Sequence, residues 1–383
     1  MAAASLESSA RCCLRAAEDA HVLLEEWGWD AYFEAMWNAL EREAAEVPAR
    51  VVSQQRSLWR IAGEFGERWA TPSGRLRESG DLDGDWPAVG DWVAAQVTCT
   101  DNRATLHAVL QRRSQFVRKV AGKRLAQQVI AANVDTAFLV AALDGDFNLR
   151  RLERYLAQCW ESGASPVIVL NKTDECDAVA ARVADVASIA PSVPVLAMSA
   201  QTGSGIVAMD AFLTAGRTVV LLGSSGVGKS TMVNRLLGHD SRATQPVRES
   251  DSRGRHTTTA RELLRLPTGA LIIDTPGLRE LQLWDAADGV AESFADIEQL
   301  ASECRFRDCR HNNEPGCAVL AAIASGVLDR ARWENRRKLE REQEFLRRKM
   351  DPEARHESQQ KLKVLMRGVK QMYGQREKDR GKA

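Results

Sequence analysis

The hydrophobic pattern of this 383-residue chain changes character three times. Up to about residue 45 it is rich in Ala, Glu and Leu, with Trp27, Trp29 and Trp37 at helix-like spacing. That predicts an amphipathic helical extension whose tryptophans pack onto the body. From about 48 to 115 the apolar runs are short (49–53, 58–62, 91–97 and 104–110) and punctuated by Gly, Pro and Asp. Short strands between turn signals predict a small antiparallel barrel of the OB type. From about 120 to 285 the runs 136–142, 167–170, 219–222 and 271–273 are apolar without alternation and are separated by helical stretches. Such runs predict a parallel sheet covered on both faces. Beyond about 286 the chain reads as helical and polar, with a charged helix from about 329 to 350 and another helical stretch after Pro352. The expected architecture is multidomain: a helical extension (1–47), an OB-fold barrel (48–118), an α/β nucleotide domain (119–285) and a helical domain with a basic tail (286–383).

Composition adds little until it is localised. Lys plus Arg equals Asp plus Glu at 52 each, yet residues 331–383 carry 17 basic against 9 acidic side chains. A basic tail on a neutral protein suits nucleic acid, and it equally suits a solvated helix of mixed charge. No apolar run approaches the length of a membrane span, and the first residues lack the basic and apolar segments of a secretory signal. Five of the eight cysteines (Cys12, Cys13, Cys99, Cys159 and Cys176) have no spacing pattern, whereas Cys304, Cys309 and Cys317 surround His311. This usage predicts a reducing, cytoplasmic setting with one metal site.

The chemistry lies in motifs that each follow an apolar strand. Gly223-Ser224-Ser225-Gly226-Val227-Gly228-Lys229-Ser230, followed by Thr231, is a phosphate loop between a strand and a helix. Its glycines let backbone N–H groups turn inward, Lys229 would reach the β- and γ-phosphates, and the Ser230 hydroxyl would bind Mg²⁺. That loop does not separate ATP from GTP. Asn171-Lys172-Thr173-Asp174 does: the Asp174 carboxylate can accept from guanine N1–H and the N2 amine, a pair of donors that adenine lacks. Asn171 would contact the base edge and support the loop, and the Lys172 stem would cover the base. Ser199-Ala200-Gln201-Thr202-Gly203, after another apolar run, looks like the GTPase loop whose backbone amide binds guanine O6. Asp274-Thr275-Pro276-Gly277 supplies a switch, with Asp274 reaching Mg²⁺ through water and the Gly277 amide facing the γ-phosphate. Between the phosphate loop and Asp274 lie residues 252–259, where one threonine would bind Mg²⁺. Thr258 is the choice; Thr257 and Thr259 are the alternatives. His256 is the candidate for placing the hydrolytic water, against the plainer reading of an exposed polar side chain. Leu278 stands where Ras-like enzymes put a water-orienting Gln, so intrinsic hydrolysis should be slow, or completed by a residue elsewhere or by a partner.

The motifs occur in a permuted order. The base-recognition motif precedes the phosphate loop, so the chain leaving Gly277 enters the C-terminal domain instead of further nucleotide-domain strands. There, Cys304, Cys309, His311 and Cys317 offer three thiolates and an imidazole within 14 residues. Four such ligands suit a closed, structural Zn²⁺ site.

Together these residues resemble the ribosome small-subunit-dependent GTPase A (RsgA/YjeQ) family over roughly residues 48 to 350. The marks are NKTD before GSSGVGKST, then GRHTTT, DTPGLRELQLW and CRFRDCRHNNEPGC, with WPAVGDWVA and RRSQFVRKVAG around the barrel. The resemblance implies a circularly permuted GTPase between an OB domain and a zinc domain. It implies GTP hydrolysis to GDP stimulated by the 30S subunit, a late role in 30S maturation that includes release of another assembly factor, and contact with 16S rRNA near the decoding region. It also implies that His256 places the hydrolytic water. A monomer is the expected state. Residues 1–45 and the stretch past Pro352 depart from the family core. A P-loop ATPase or kinase is the main rival, with a nucleic-acid module carrying a vestigial pocket and a permuted GTPase of the large subunit as further alternatives.

Overall fold

A computed structural model describes residues 23–55, 57–83, 86–98, 102–120, 126–238, 261–274 and 287–350. Residues 23–45 are not one continuous helix. A 3-10 turn, Leu24–Trp27, ends at Gly28 with φ 86°, and helix α1, Ala31–Ala39, starts from an Asp30 cap. The break is backbone geometry: a Cβ at Gly28 would lie 2.5 Å from the Gly216 carbonyl, so only glycine fits. The tryptophans nonetheless pack inward. Trp29 meets Trp92 edge-on at 4.7 Å, and Trp27, Trp29, Phe33 and Trp37 are all buried.

Strands β1 (Glu46–Gln55), β2 (Leu58–Gly63), β3 (Gly66–Pro72), β4 (Trp92–Thr98) and β5 (Arg103–Val109) close a five-stranded barrel in the order 1-2-3-5-4-1. Closure comes from antiparallel β1–β4 pairing, with Ala49 opposite Val93, and from parallel β3–β5 pairing, with Ala70 opposite Ala104. Helix α2, Gly74–Asp83, links β3 to β4. Val51, Trp59, Ile61, Val93 and Leu106 fill the interior.

A hairpin of β6 (Gln115–Val120) and β7 (Ala126–Ala132) leads from the barrel into β8 (Thr136–Ala142). Then follow helix α3 (Leu149–Ser162), β9 (Ser165–Asn171), helix α4 (Val179–Ile189), β10 (Val195–Ala197), β11 (Thr218–Leu222), helix α5 (Lys229–Leu237), β12 (Arg261–Arg265) and β13 (Leu271–Asp274). The sheet order is β10-β9-β8-β11-β13-β12, parallel except for β12. Successive residues of each buried strand serve opposite faces. Leu139, Leu170 and Leu222 join Leu152, Leu156 and Val186 on one side, while Phe138, Val169 and Leu221 join Met232 and Val233 on the other. Covering both faces is why these strands show no polar alternation. The strand order reverses between β8 and β11, and a ligand crevice is expected outside the carboxyl ends at such a point.

Arg50 of β1 stitches three parts together. It donates to Trp27 O at 3.0 Å, Asn133 O at 3.3 Å and Thr218 Oγ1 at 3.1 Å. Burial pushes its guanidinium down to about 10, which leaves it charged at neutral pH.

Helices α6 (Ala287–Ser293), α7 (Ala295–Ser302), α8 (Ala318–Ala324) and α9 (Arg330–Met350) form the C-terminal unit around Val290, Phe294, Ile297, Val319 and Trp333. It docks on α3. A Cβ at Gly289 would fall 2.0 Å from Ala157 O, so glycine allows the close crossing. At the same interface buried Glu153 accepts from Arg332 Nη1 at 2.7 Å, Asn335 Nδ2 at 2.6 Å and Arg150 Nη1 at 2.6 Å. Among the described residues no helix is long and apolar enough to cross a membrane.

Candidate nucleotide and metal sites

β9, β10, β11 and β13 run parallel, so Asn171, Ser199, Gly223 and Asp274 all emerge at one rim of the sheet. Asn171 ties three of the motifs together. It is 2 % exposed; its Nδ2 donates to Val227 O in the phosphate loop at 2.8 Å, and its Oδ1 accepts from Ala200 N at 2.8 Å. Both halves of the amide are therefore engaged with backbone. Gly228 makes the approach possible, since a Cβ there would lie 2.3 Å from Asn171 Nδ2 and its φ is 94°.

The phosphate loop turns tightly from β11 into α5. A Cβ at Gly223 would sit 2.4 Å from Val140 O on β8. Val227 is buried beneath the loop, while Ser225 and Gly226 face solvent. Lys229, first residue of α5, donates through Nζ to Gly223 O at 2.6 Å and Ser224 O at 2.5 Å. Its ammonium thus lies over the loop. Ser230 and Thr231 occupy the first turn of α5, where main-chain N–H groups lack helical partners and favour an anion.

Beside it, Lys172 has a left-handed backbone, φ 66°, and Asp174 lies exposed in the 3-10 turn Thr173–Glu175. Lys172 Nζ donates to Asp144 Oδ2 at 2.6 Å. For Asp144, partial burial pushes the carboxyl upward, but the Lys172 hydrogen bond and charge and the Asp146 amide outweigh it, so the net shift is down. The Ser199 loop is a closed turn: Gly203 N donates to Ser199 O at 2.8 Å, Thr202 N to Ser199 Oγ at 3.1 Å, and Arg235 Nε of α5 to Ala200 O at 2.9 Å.

Asp274 ends β13 next to the phosphate-loop strand. Ser230 and Asp274 offer the hard oxygen donors that suit Mg²⁺. Three of the expected site residues, His256, Thr258 and Gly277, lie outside the described residues, as do Thr257, Thr259 and Leu278.

The C-terminal cluster lies between α7 and α8. Cys317 is the cap of α8, accepting from Leu320 N through Sγ at 3.4 Å, and His311 takes a left-handed turn with φ 54°. Cys304 Sγ is 3.9 Å from Cys317 Sγ; His311 Nδ1 is 3.5 Å from Cys304 Sγ and 3.4 Å from Cys317 Sγ. With Cys309 the four ligand atoms lie within 4.8 Å of one another. A tetrahedral zinc with Zn–S near 2.3 Å separates its sulfurs by about 3.8 Å, so the donor set and its size fit that ion. Trp333 packs edge-on against the His311 ring at 5.4 Å.

Three side chains of this rim belong to no motif. Asp144, Asp146 and Arg151, in the β8–α3 connection and the first turn of α3, touch Lys172 and Ser224. The available signal was positional: the connection follows a parallel strand, and its polar residues therefore open onto the rim.

Comparison with known proteins agrees with this geometry. Residues 109–284 match the model of the RsgA GTPase family. A relative from Opitutus terrae, named small ribosomal subunit biogenesis GTPase RsgA, is 46 % identical over 90 % of this chain and 96 % of its own length. One of the same name from Streptomyces coelicolor is 43 % identical over 90 % and 93 %. Among solved structures, YjeQ from Thermotoga maritima superposes with a TM-score of 0.57 at 24 % identity, covering 78 % of this chain and 98 % of that one. YloQ, described as a circularly permuted GTPase, gives 0.56 at 22 %, covering 80 % and 98 %. At that identity the two structures speak to the fold, and the sequence relatives carry the rest: the chain belongs to the RsgA GTPase family and is a GTP-hydrolysing enzyme of circularly permuted fold.

Proposed function

We propose that this enzyme acts in biogenesis of the small ribosomal subunit: it binds the 30S particle late in maturation, and docking accelerates its hydrolysis of GTP to GDP and phosphate. The observation that carries the nucleotide side of this reading is the Asn171 amide, which joins the base, phosphate and Ser199 loops into one cradle. Ribosome biogenesis is supported by the names of relatives matching nine-tenths of the chain.

In the cradle, Asp174 accepts the guanine N1–H and N2 donors, Lys172 lies along the base face, and the Ser199–Ala200 turn presents an amide toward O6. ATP leaves Asp174 without its donors, and a site built on such pairing discriminates strongly. Gly223, Ser224, Ser225, Gly226, Val227, Gly228 and Thr231 cradle the phosphates through main-chain N–H groups. Lys229 exchanges its two carbonyl partners for the β- and γ-phosphates. Ser230 and Thr258, with Asp274 through water, would hold a magnesium ion, which would supply charge neutralisation at the phosphates. The Gly277 amide senses the γ-phosphate, and His256 places the attacking water when the subunit is docked. The four C-terminal ligands hold zinc as a structural ion.

The barrel and zinc unit supply the 16S rRNA contacts, and the protein works as a cytoplasmic monomer. Turnover assays with GTP and ATP, with and without isolated 30S or 50S subunits, test this directly. Slow GTP hydrolysis raised many-fold by 30S alone is the expected result. Stimulation by 50S, or by neither, would overturn the assignment of partner; equal use of ATP would overturn the base site.

A further inference from the structure

A closed ring of contacts beside the phosphate loop involves residues outside every motif. Asn148 caps α3 by accepting from Arg151 N at 3.1 Å, which fixes where Arg151 begins. The Arg151 guanidinium then forks onto Asp146: Nη2 donates to Oδ1 at 2.9 Å, and Nη1 pairs with Oδ2. Nη1 also donates to Ser224 Oγ at 2.9 Å, and the Ser224 hydroxyl donates to Asp146 Oδ2 at 3.1 Å. The carbonyl of that same Ser224 accepts from Lys229 Nζ at 2.5 Å.

The ring is too exposed to hold the fold. Arg151 and Asp146 side chains are 33 % and 50 % accessible, and ion pairs of that exposure contribute little to stability. What a bidentate fork does supply is direction. Here it fixes the rotamer of one loop residue, and that residue's main chain anchors the loop lysine. Arg151 comes from a helix that is itself clamped on its other side by the buried Glu153–Arg332 pair, so its origin is rigid.

We propose that Arg151 is a positioning residue for GTP turnover, acting with Asp146 through the Ser224 side chain to hold the phosphate loop in shape before the nucleotide arrives. This rests on the phosphate-loop reading above. Without the ring, Ser224 gains rotamers, and the loop must be ordered at the moment of binding instead of beforehand.

The test is a double-mutant cycle on the full-length protein: Arg151→Ala, Ser224→Ala and both together, with kcat, KM and thermal midpoint measured for each. Each single change should lower kcat/KM roughly tenfold, the scale of one hydrogen bond to a charged group. The double variant should lose no more than the worse single one, because one route is broken twice. Arg151→Lys, which keeps the charge and one donor but not the fork, should recover part of the loss. The thermal midpoint should stay within about 2 °C throughout. Losses that multiply in the double variant, an Arg151→Ala enzyme within twofold of wild type, or activity falling in step with the midpoint would each overturn the proposal. A wild-type protein that neither binds nor hydrolyses GTP would instead indict the nucleotide site as a whole, and the proposal with it.

Discussion

Asn171 donates its side-chain amide to the carbonyl of Val227, 56 residues away in the chain and 2.8 Å away in space. Its other half accepts from Ala200 N. The base loop cannot shift relative to the phosphate loop without breaking one of these bonds. Asn171→Ala would leave Val227 O and Ala200 N buried without partners. The expected cost is about 1–3 kcal/mol of folding stability, together with loss of tight nucleotide binding. Urea unfolding and titration with a fluorescent GDP analogue check both, and wild-type affinity would refute the clamp.

Asp174 has a separate role, and its loss should change specificity and leave the fold intact, because it is exposed in its turn. Asp174→Asn replaces an acceptor with a donor. Xanthine has a carbonyl where guanine has its N2 amine, so the variant should prefer XTP. A change in the GTP-to-XTP ratio of kcat/KM of at least roughly a hundredfold is expected. An unchanged ratio would remove Asp174 from the base site.

Zinc should hold the C-terminal unit together. Cys304, Cys309 and Cys317 pack against the same core as Phe294 and Trp333, so the ligands and the apolar side chains share one folding unit. Structural zinc contributes roughly 10–16 kcal/mol of binding free energy in small domains. Cys309→Ala, or a strong chelator, should release the ion and abolish the near-ultraviolet signal of Trp333. A folded protein free of metal would contradict this.

Arg332→Ala tests the interface between α3 and the C-terminal helices. Glu153 is fully buried, and removing Arg332 strips one of its three partners. Arg150 and Asn335 still bond it, so the loss should be about 2–3 kcal/mol, below that of an orphaned buried charge. Replacing both residues with apolar ones of similar size should recover most of it, as measured by chemical denaturation.

How legible the site was in the sequence depended on how local each feature is. The phosphate loop, NKTD and the four candidate metal ligands are contiguous or nearly so, and the chemistry expected of them follows from residue type and spacing. The strands under them were readable because Val167, Ile168, Val169 and Leu170 are all buried, which leaves an apolar run without alternation. Strand β3 was harder: Glu67, Trp69 and Thr71 face outward, and only Ala70 and Pro72 are buried, too sparse a signal to name. Gly28 sat inside a helical pattern, and its role depends on Gly216, nearly two hundred residues on. The ring of Asp146, Arg151 and Ser224 was invisible for the same reason. Ser224 stands in the phosphate loop, but Asp146 and Arg151 are unremarkable polar residues until the sheet brings β8 beside β11.

β1 belongs to two structures at once. It closes the barrel against β4, and at its far end Ser53 and Gln54 pair with Glu262 and Arg261 of β12. The barrel therefore caps the last strand of the nucleotide sheet, which would otherwise present a row of open main-chain groups. Removing the barrel with its N-terminal segment would uncover that row, along with nucleotide-domain side chains such as Ile130, Val134 and Ala137 that share a core with Trp29 and Trp92. Open strands next to apolar surface invite association between copies. The nucleotide domain expressed alone should tend to aggregate, and its solubility, more than its affinity for GTP, would show what the barrel does for it.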